Sequence, residues 1–571
     1  MTVSSLLVVV AVVVAGQAPG PLLTPSPTST CLPEERLSIL EVGRSVGTIC
    51  PGDTAAAGVT VVDLRDAWVP LILEGTSYSP TWVALADERY DVDGAGPRAD
   101  ADRYLELWGI NPNLSVLARR LEDTRRHACD ALVRNEALQD LTVDLRSSRP
   151  RPRKKGGDEA VNALQGHLVC EGLLDAAHAD GTFNGDTARA LAIWQRKEAL
   201  PSVPGVLDEE SRTRLLLPSR GRDLLGVLRA LRERVADAAG LIEDGTARAE
   251  QASVLGQLLD PGSLRPERRP TGLRGAPDVI HQATDTAARA LGLTESAVFE
   301  DSGLNEGLAL AAIVRSWLAL GRVALRLPPP PAWHSVHMEF LTAAVDTGDV
   351  TRSGIPVIGG SRPVFRLTTV IDGESLPLVV WPTTIGGNQR EKLGSGAIVR
   401  RNKASPTGQF VWRWLWAAPV WYPPHSTPDD ELVLRGAKGA VVNDEGIGPG
   451  YRSAYGLVML QHHDVFAMRD GTERFDDTGV RTHGTGTVRS VLIGGVSHGC
   501  HRLLPRAALR LGTFLLRHRA HAPAAPVLEG YSRKLNVGGK SLLLERRIRG
   551  TRTELTPPVA IEVTETCPGD G

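Results

Sequence analysis

Four consecutive prolines at residues 328–331 divide this chain into two parts of different chemistry. Proline lacks a backbone N–H and its ring clashes with the preceding turn, so neither a helix nor a central strand runs through such a block. Upstream, LLGVLRALRERVADAAGLI and GLALAAIVRSWLALGRVALRL repeat apolar residues at the spacing of an amphipathic helix. Downstream, short β-branched and aromatic runs (PVFRLTTVI, LPLVVWPTTI, QFVWRWLWAAPVW, YGLVML, VRSVLIGG) alternate with glycine and proline turns. The expected fold class is therefore α+β and multidomain, with helical N-terminal units followed by a β-rich domain. At 571 residues, about three or four units are expected.

Residues 1–33 contain no charged side chain, and residues 6–16 form an apolar run of signal-peptide length that is too short to span a bilayer comfortably. Gly16 and Ala18 supply the small residues for cleavage after Ala18, although MTVSS lacks the usual basic residue. A signal peptide over 1–18, a flexible lead over 19–33 and export are expected, with no membrane span in the mature chain. A buried N-terminal strand or an uncleaved anchor is the alternative. TSTC lacks the leucine of a lipoprotein signal before Cys31.

Residues 34–145 read as a mixed, helix-biased scaffold, and RSSRPRPRKKGG (146–157) as a basic linker: a solvated hinge or a contact for an anionic polymer. Residues 158–217 carry a compact pattern of three helices, residues 218–327 a helical region, residues 333–530 the β-rich domain and residues 531–571 a β tail, with a hairpin expected over 541–563. A net charge of −2 offers no global field for nucleic acid, and no such partner is expected.

Chemistry concentrates at SHGCHR, residues 497–502. Alone, this stretch allows Cys500 to be a nucleophile, a metal ligand or half of a disulfide. Zinc from His483, His498, Cys500 and His501 is disfavoured, because adjacent Cys500 and His501 project differently and no second cysteine or carboxylate sits at ligand spacing. The six cysteines are Cys31, Cys50, Cys129, Cys170, Cys500 and Cys567; if Cys500 is a working thiol, one of the other five is left without a partner. A histidine that takes the thiol proton and a helix N-terminus facing the sulfur would both favour the thiolate. His483, across VRSVLIGG, is the candidate base, and a helix is expected to follow Cys500 at once. Backbone N–H groups beside Gly499 could stabilise an oxyanion.

His483-Gly484-Thr485, then Ser497-His498-Gly499-Cys500 and Arg502, resembles the signature of the YkuD-type L,D-transpeptidases, HG followed by [ST]HGC-x-[RN]. PTGQF at 406–410 resembles that family's PTP-x-G-x-F, APVWYPP at 418–424 its NP-x-W-x-PP, and GPG at 448–450 with Tyr455-Gly456 its PG…LG. His501 replaces an apolar residue, and the gap from His483 to Ser497 is slightly short. Within 158–217, Asp180, Gly181, Phe183, Thr187, Trp194 and Gln195 resemble the pattern of a small peptidoglycan-binding domain, with Asn184 in place of a glycine and Trp194 in place of a phenylalanine. Those residues can equally be core. This order of modules resembles the large periplasmic members of the family, in which 421–448 holds a variable lid.

The resemblance implies an exported, periplasmic enzyme that forms 3→3 peptidoglycan cross-links through a Cys500 acyl-thioester and releases D-Ala from a tetrapeptide donor. It implies His483 as general base and proton donor, the Gly484 carbonyl as its orienter, backbone at His498 and Gly499 as an oxyanion hole, and Ser497 and Arg502 as groups ordering loop and substrate. Asp180, Gly181, Phe183, Thr187, Trp194 and Gln195 would contact peptidoglycan. Partners would be peptidoglycan stem peptides and glycan, with no cofactor and no metal. The same thioester resolved by water would give an L,D-carboxypeptidase or amidase, and resolved by a protein amine an attachment enzyme. A wall-binding scaffold is the non-enzymatic alternative.

Overall fold

The computed structural model describes residues 31–76, 114–122, 159–197, 205–207, 211–212, 215, 219–248, 275–293, 306–336, 338–350, 363–392, 397–436, 439–451, 453–485, 491 and 496–565. The expected signal peptide, nearly all of the lead, the basic linker, Cys129 and Cys567 lie outside these residues. No helix among the described residues is long and apolar enough to cross a membrane.

The chain is α+β, and its elements gather around separate hydrophobic cores. Strands β1 (Leu37–Glu41), β2 (Arg44–Ile49) and β3 (Thr60–Asp63) come first, then helix α1 (Leu114–Leu121). Helices α2 (Glu159–Cys170) and α3 (Gly185–Lys197) follow, then α4 (Ser219–Ala239), α5 (Val279–Ala290), α6 (Glu306–Leu320) and strand β4 (Arg322–Leu325). Strand β4 joins the first three in the order β2-β1-β4-β3, so a strand next to the proline block completes a sheet begun near the N-terminus. Leu40, Val62, Leu117, Leu231, Ile280, Val314 and Trp317 share one core, so segments expected as two units, 34–145 and 218–327, pack together. Sequence periodicity missed this because the strands and helices meet only in space. Asp278 caps α5 by accepting from His281 N–H at 2.7 Å, and its carboxylate also holds Arg232 of α4 at 2.9 Å. Cys31 and Cys50 form a disulfide, and Cys170 is also disulfide-bonded.

Helices α2 and α3 keep their own small core of Leu164, Leu168, Leu191 and Trp194. The third helix expected there lies mostly outside the described residues.

After the prolines, the β-rich part forms. Its strands are β5 (Thr342–Asp346), β6 (Val364–Ile371), β7 (Glu374–Pro382), β8 (Ile385–Gly386), β9 (Asn388–Lys392), β10 (Ile398–Asn402), β11 (Gly408–Ala417), β12 (Val433–Gly436), β13 (Gly439–Val442), β14 (Val458–Ala467), β15 (Glu473–Gly484), β16 (Val496–Ser497) and β17 (His501–Leu503). Helix α7 (Pro505–His518) intervenes before β18 (Ala525–Val527), β19 (Tyr531–Val537), β20 (Lys540–Arg546) and β21 (Gly550–Thr564). The main sheet runs β17-β15-β14-β11-β21-β5-β6-β7, with β18 also on β21; pairs β15/β17 and β21/β5 are parallel. The expected C-terminal tail is thus corrected: β21 is a central strand between β11 and β5. The hairpin expected over 541–563 is instead β19/β20, and it packs with β12/β13 around Leu432, Leu535 and Leu544.

Helix α7 covers one face of this sheet through Leu511, Phe514 and Leu515, which join a core with Leu415, Leu460 and Leu503. On its other side Arg510 pairs with Glu233 of α4 at 2.8 Å, and Thr513 donates to Asp237 at 2.8 Å. The helix next to Cys500 is therefore clamped between the sheet and the N-terminal helices.

Candidate active site

Strand register brings the candidate residues together. Parallel β15 and β17 align Thr482 with His501, His483 with Arg502 and Gly484 with Leu503. Side chains alternate along a strand, so His483, Arg481 and Arg502 share one face, and Thr482 and His501 share the other. Cys500 immediately precedes β17 on the side of Arg481, whose backbone N–H reaches its sulfur. Cys500 is half-buried and is the free cysteine among the described residues.

His483 is buried, and its Nδ1–H donates to the Gly484 carbonyl at 2.5 Å. That bond fixes the tautomer and leaves Nε2 with the lone pair. Gly484 can present its carbonyl there because Gly456 lets the backbone approach. A Cβ on Gly456 would lie 2.6 Å from the Gly484 carbonyl carbon, and Gly456 has φ +63°. Tyr455 sets its ring edge-on to His483, with centroids 5.3 Å apart. Burial, and then the Cys500 thiolate that forms only at high pH, push its phenol up to about 12, so Tyr455 stays protonated.

Burial, then the positive Arg502, drive His483 down to about 3; the Gly484 carbonyl acts in the opposite direction. Burial also raises the Cys500 thiol, against the Arg481 N–H and the charges of Arg481 and Arg502. At rest the thiol and the imidazole are thus both neutral, and Cys500 is not the depressed thiolate expected from sequence. The expected helix N-terminus does not face the sulfur: β17 intervenes and α7 begins at Pro505. A helix dipole fades within its first turn, so it does little for Cys500.

The loop before Cys500 is tied on every side. Ser497 Oγ donates to the Cys500 carbonyl at 2.5 Å and accepts from Gly499 N–H at 3.2 Å. Ser405 Oγ donates to the Gly499 carbonyl at 3.0 Å and accepts from Gly386 N–H at 3.0 Å. Gly499 has φ +106°, a conformation that side chains resist. Its N–H faces Ser497, so it could serve an oxyanion only after releasing that bond. His498 is exposed. The Arg502 carbonyl accepts from Thr383 Oγ at 2.9 Å, whereas Arg502 Nε is a buried donor with no protein acceptor.

His501, which the family pattern does not explain, points into the core. Neither ring nitrogen has a hydrogen-bond partner, and its ring lies 5.2 Å from that of His462, which bonds Thr482 Oγ at 2.9 Å. Burial lowers His501 to about 4, so it is neutral and adds no positive charge. Among the described residues no group of three or more histidine, cysteine or carboxylate side chains could hold a metal ion.

Sequence reasoning missed Arg481 and its support. Arg481 pairs with both Asp477 oxygens at 2.6 and 2.7 Å, Gln461 donates to Asp477 at 2.8 Å, and Trp416 donates to Gln461 at 3.1 Å. The available signal was its place two residues before His483 on a strand, hence on the same face. Arg481→Met is expected to slow alkylation of Cys500 by iodoacetamide at pH 8 by about three- to tenfold, with Arg481→Lys recovering part of the rate. An unchanged rate would show that the guanidinium does not act on the sulfur.

The six residues expected to contact peptidoglycan all take part in building the helical unit. Thr187, Trp194 and Gln195 are buried. Gln195 donates to the Val206 carbonyl at 2.7 Å and to Ser211 at 2.8 Å, and accepts from Gly205 N–H at 2.8 Å. Gln165, unmarked in sequence, does the same service for Gly181 N–H and Thr187 Oγ. Asp180 closes a turn onto Thr182 N–H, and Phe183 packs on the core. Trp194→Ala is expected to cost about 3–5 kcal/mol and to unfold this unit locally, as read by proteolysis within it.

No protein-family model matches the chain, and no curated protein matches it.

Proposed function

We propose that this protein is a cysteine acyltransferase of the L,D-transpeptidase kind, acting on peptidoglycan stem peptides in the periplasm. One observation carries the reading: a buried histidine, oriented by the carbonyl of the next residue, shares a sheet face with a free, half-buried cysteine on a pinned glycine turn. That is a nucleophile, a base and an orienter without a carboxylate.

In this mechanism His483 Nε2 takes the Cys500 proton as the sulfur attacks the carbonyl of the third stem residue. Because the resting thiol and imidazole are both neutral, transfer accompanies attack and does not precede it. Backbone N–H groups of the 498–500 turn receive the oxyanion, with Gly499 exchanging its bond to Ser497. The imidazolium then protonates the departing D-Ala nitrogen, leaving the thioester. A side-chain amine of a second stem attacks, and His483 takes its proton in turn. Arg502, with its unpaired Nε, faces His483 by register and is suited to a substrate carboxylate or carbonyl.

Incubation with a disaccharide-tetrapeptide and mass spectrometry tests the reading. A cross-linked dimer lacking D-Ala is the expected product. Tripeptide alone would make it a hydrolase, and sacculus binding without turnover would make it a scaffold.

A further inference from the structure

The register that aligns His483 with Arg502 continues across the sheet. Met459 of β14 lies opposite His483, Trp416 of β11 opposite Met459, and Arg552 of β21 opposite Trp416. Residues directly opposite in a ladder put their side chains on one face. Arg502, His483, Met459, Trp416 and Arg552 therefore form one row, on the face turned away from Leu415, Leu460 and Leu503 of the core under α7. The neighbouring row on this face holds Arg481, Gln461, Trp414 and Glu554. His483 is thus bracketed by two arginines: Arg502 one strand to one side, Arg552 three strands to the other.

Three guanidiniums lie over the aromatic rings at the far end of the row. Arg413 sits 5.1 Å from the Trp414 centroid and bonds Glu554 at 2.6 Å. Arg549 sits 5.6 Å from Trp416 and 5.3 Å from Tyr422, and bonds Glu529 at 2.8 Å. Arg552 is half-buried, 3.9 Å from the Trp414 centroid and 5.5 Å from that of Trp416. Its guanidinium meets no carboxylate and no hydrogen-bond acceptor among the described residues. Stacking on an indole fixes the plane of the fork and leaves its N–H edge open, the edge that takes a carboxylate through two parallel bonds. Two of these three cations are filled by the protein's own carboxylates, and the third is not. The group is also joined to the nucleophile. Trp416 donates to Gln461, Gln461 to Asp477, and Asp477 holds Arg481, whose backbone N–H reaches the Cys500 sulfur.

We propose that Arg552 is a carboxylate subsite for the second stem peptide, the one whose amine attacks the thioester. This rests on the proposed function for the identity of its ligand. A transpeptidase brings two carboxylate-bearing peptides to one sulfur, and the unpaired donors of Arg502 and Arg552 stand on opposite sides of the base. Three strand spacings separate β21 from β15, about 14 Å, which is about the span of four extended residues. A stem peptide laid across β14 and β11 therefore reaches from the site to Arg552.

The test titrates a stem tripeptide with free carboxylates and a free side-chain amine into full-length Cys500→Ala protein, read by calorimetry. Adding Arg552→Gln is expected to weaken binding about three- to tenfold at low salt. Arg552→Lys, which keeps the charge and loses the fork, should fall between. The peptide with its carboxylates converted to amides should bind all three proteins equally. With Cys500 present, Arg552→Gln should raise the half-saturating acceptor concentration for cross-linking by the same factor, while that of the donor barely moves. Equal binding of the carboxylate peptide by Arg552→Gln and its parent, or an equal loss for the amide, overturns the subsite. A shift confined to the donor overturns its assignment to the second stem. Melting is followed alongside, and if Arg552→Gln unfolds early the lysine variant decides the comparison. Absence of cross-linking in the unaltered protein would remove the proposed reaction, whereas the titration judges the subsite by itself.

Discussion

Replacing Cys500 with alanine is expected to abolish both D-Ala release and cross-linking, and replacing His483 with alanine to slow them about 10²- to 10⁴-fold. The two variants fail for different reasons, and this makes the comparison informative. Without the sulfur no thioester forms, so a carbapenem offered to the Cys500→Ala variant should add no mass. Without the imidazole the sulfur remains, and slow acylation should persist and grow with pH as hydroxide replaces the base. In the unaltered protein, alkylation of Cys500 should still be rising at pH 9.0, the ordinary thiol value, because burial holds the thiol above it. A plateau below neutrality would instead mean a standing thiolate–imidazolium pair and would contradict the neutral resting site. Carbapenem mass on a different cysteine would sink the nucleophile assignment outright.

The residues of the candidate site were legible because each is local. Cys500, Gly499 and Ser497 sit on one turn, and the bond from His483 to the Gly484 carbonyl spans a single peptide. What sequence could not supply was the balance of burial against charge, which decides the state of the thiol. It also could not supply the long-range pairing of strands. The hairpin expected over 541–563 puts Pro557 and Pro558 inside a β stretch. In space both lie within the single strand β21. The prolines fall where the register with β11 slips between Trp412 and Trp414, and their carbonyls accept from Arg519 at 2.8 and 3.0 Å. The same limit hid the joint core of 34–145 and 218–327, since Leu40 and Trp317 meet only after folding. For the unit at 159–215, the motif was legible and its structural part is now visible: Thr187, Trp194 and Gln195 are buried, Gln195 bonding Ser211 and Trp194 packing in the unit's core.

The second large effect is expected in acid. His483 and His501 are buried and neutral, lowered by burial to about 3 and about 4 from 6.5, and His462 is lowered well below 6.5 by burial and by His501. In the unfolded chain these groups take up protons near the ordinary histidine value, whereas in the folded chain they do not. Their contribution to stability is therefore present above pH 6.5 and is lost as pH falls toward the folded values. At about 1.4 kcal/mol per unit, His483 and His501 together weaken the fold by several kcal/mol between pH 6.5 and pH 4, a large part of a typical 5–15 kcal/mol. Asp237 opposes this. Burial raises it to about 6, so its protonation favours the folded state as pH falls below that value, returning about 3 kcal/mol at most. The histidines outnumber it, so the urea midpoint should fall steeply from pH 7 to pH 4. His501→Leu separates the causes. At pH 8 it removes a ring whose two nitrogens are buried without partners, and stability should hold or rise slightly. At pH 4.5 it also removes a proton acceptor of the unfolded chain, and the variant should exceed the parent by about 2 kcal/mol. A gain of equal size at both pH values would mean that His501 is not held neutral in the core, and that the acid sensitivity arises elsewhere.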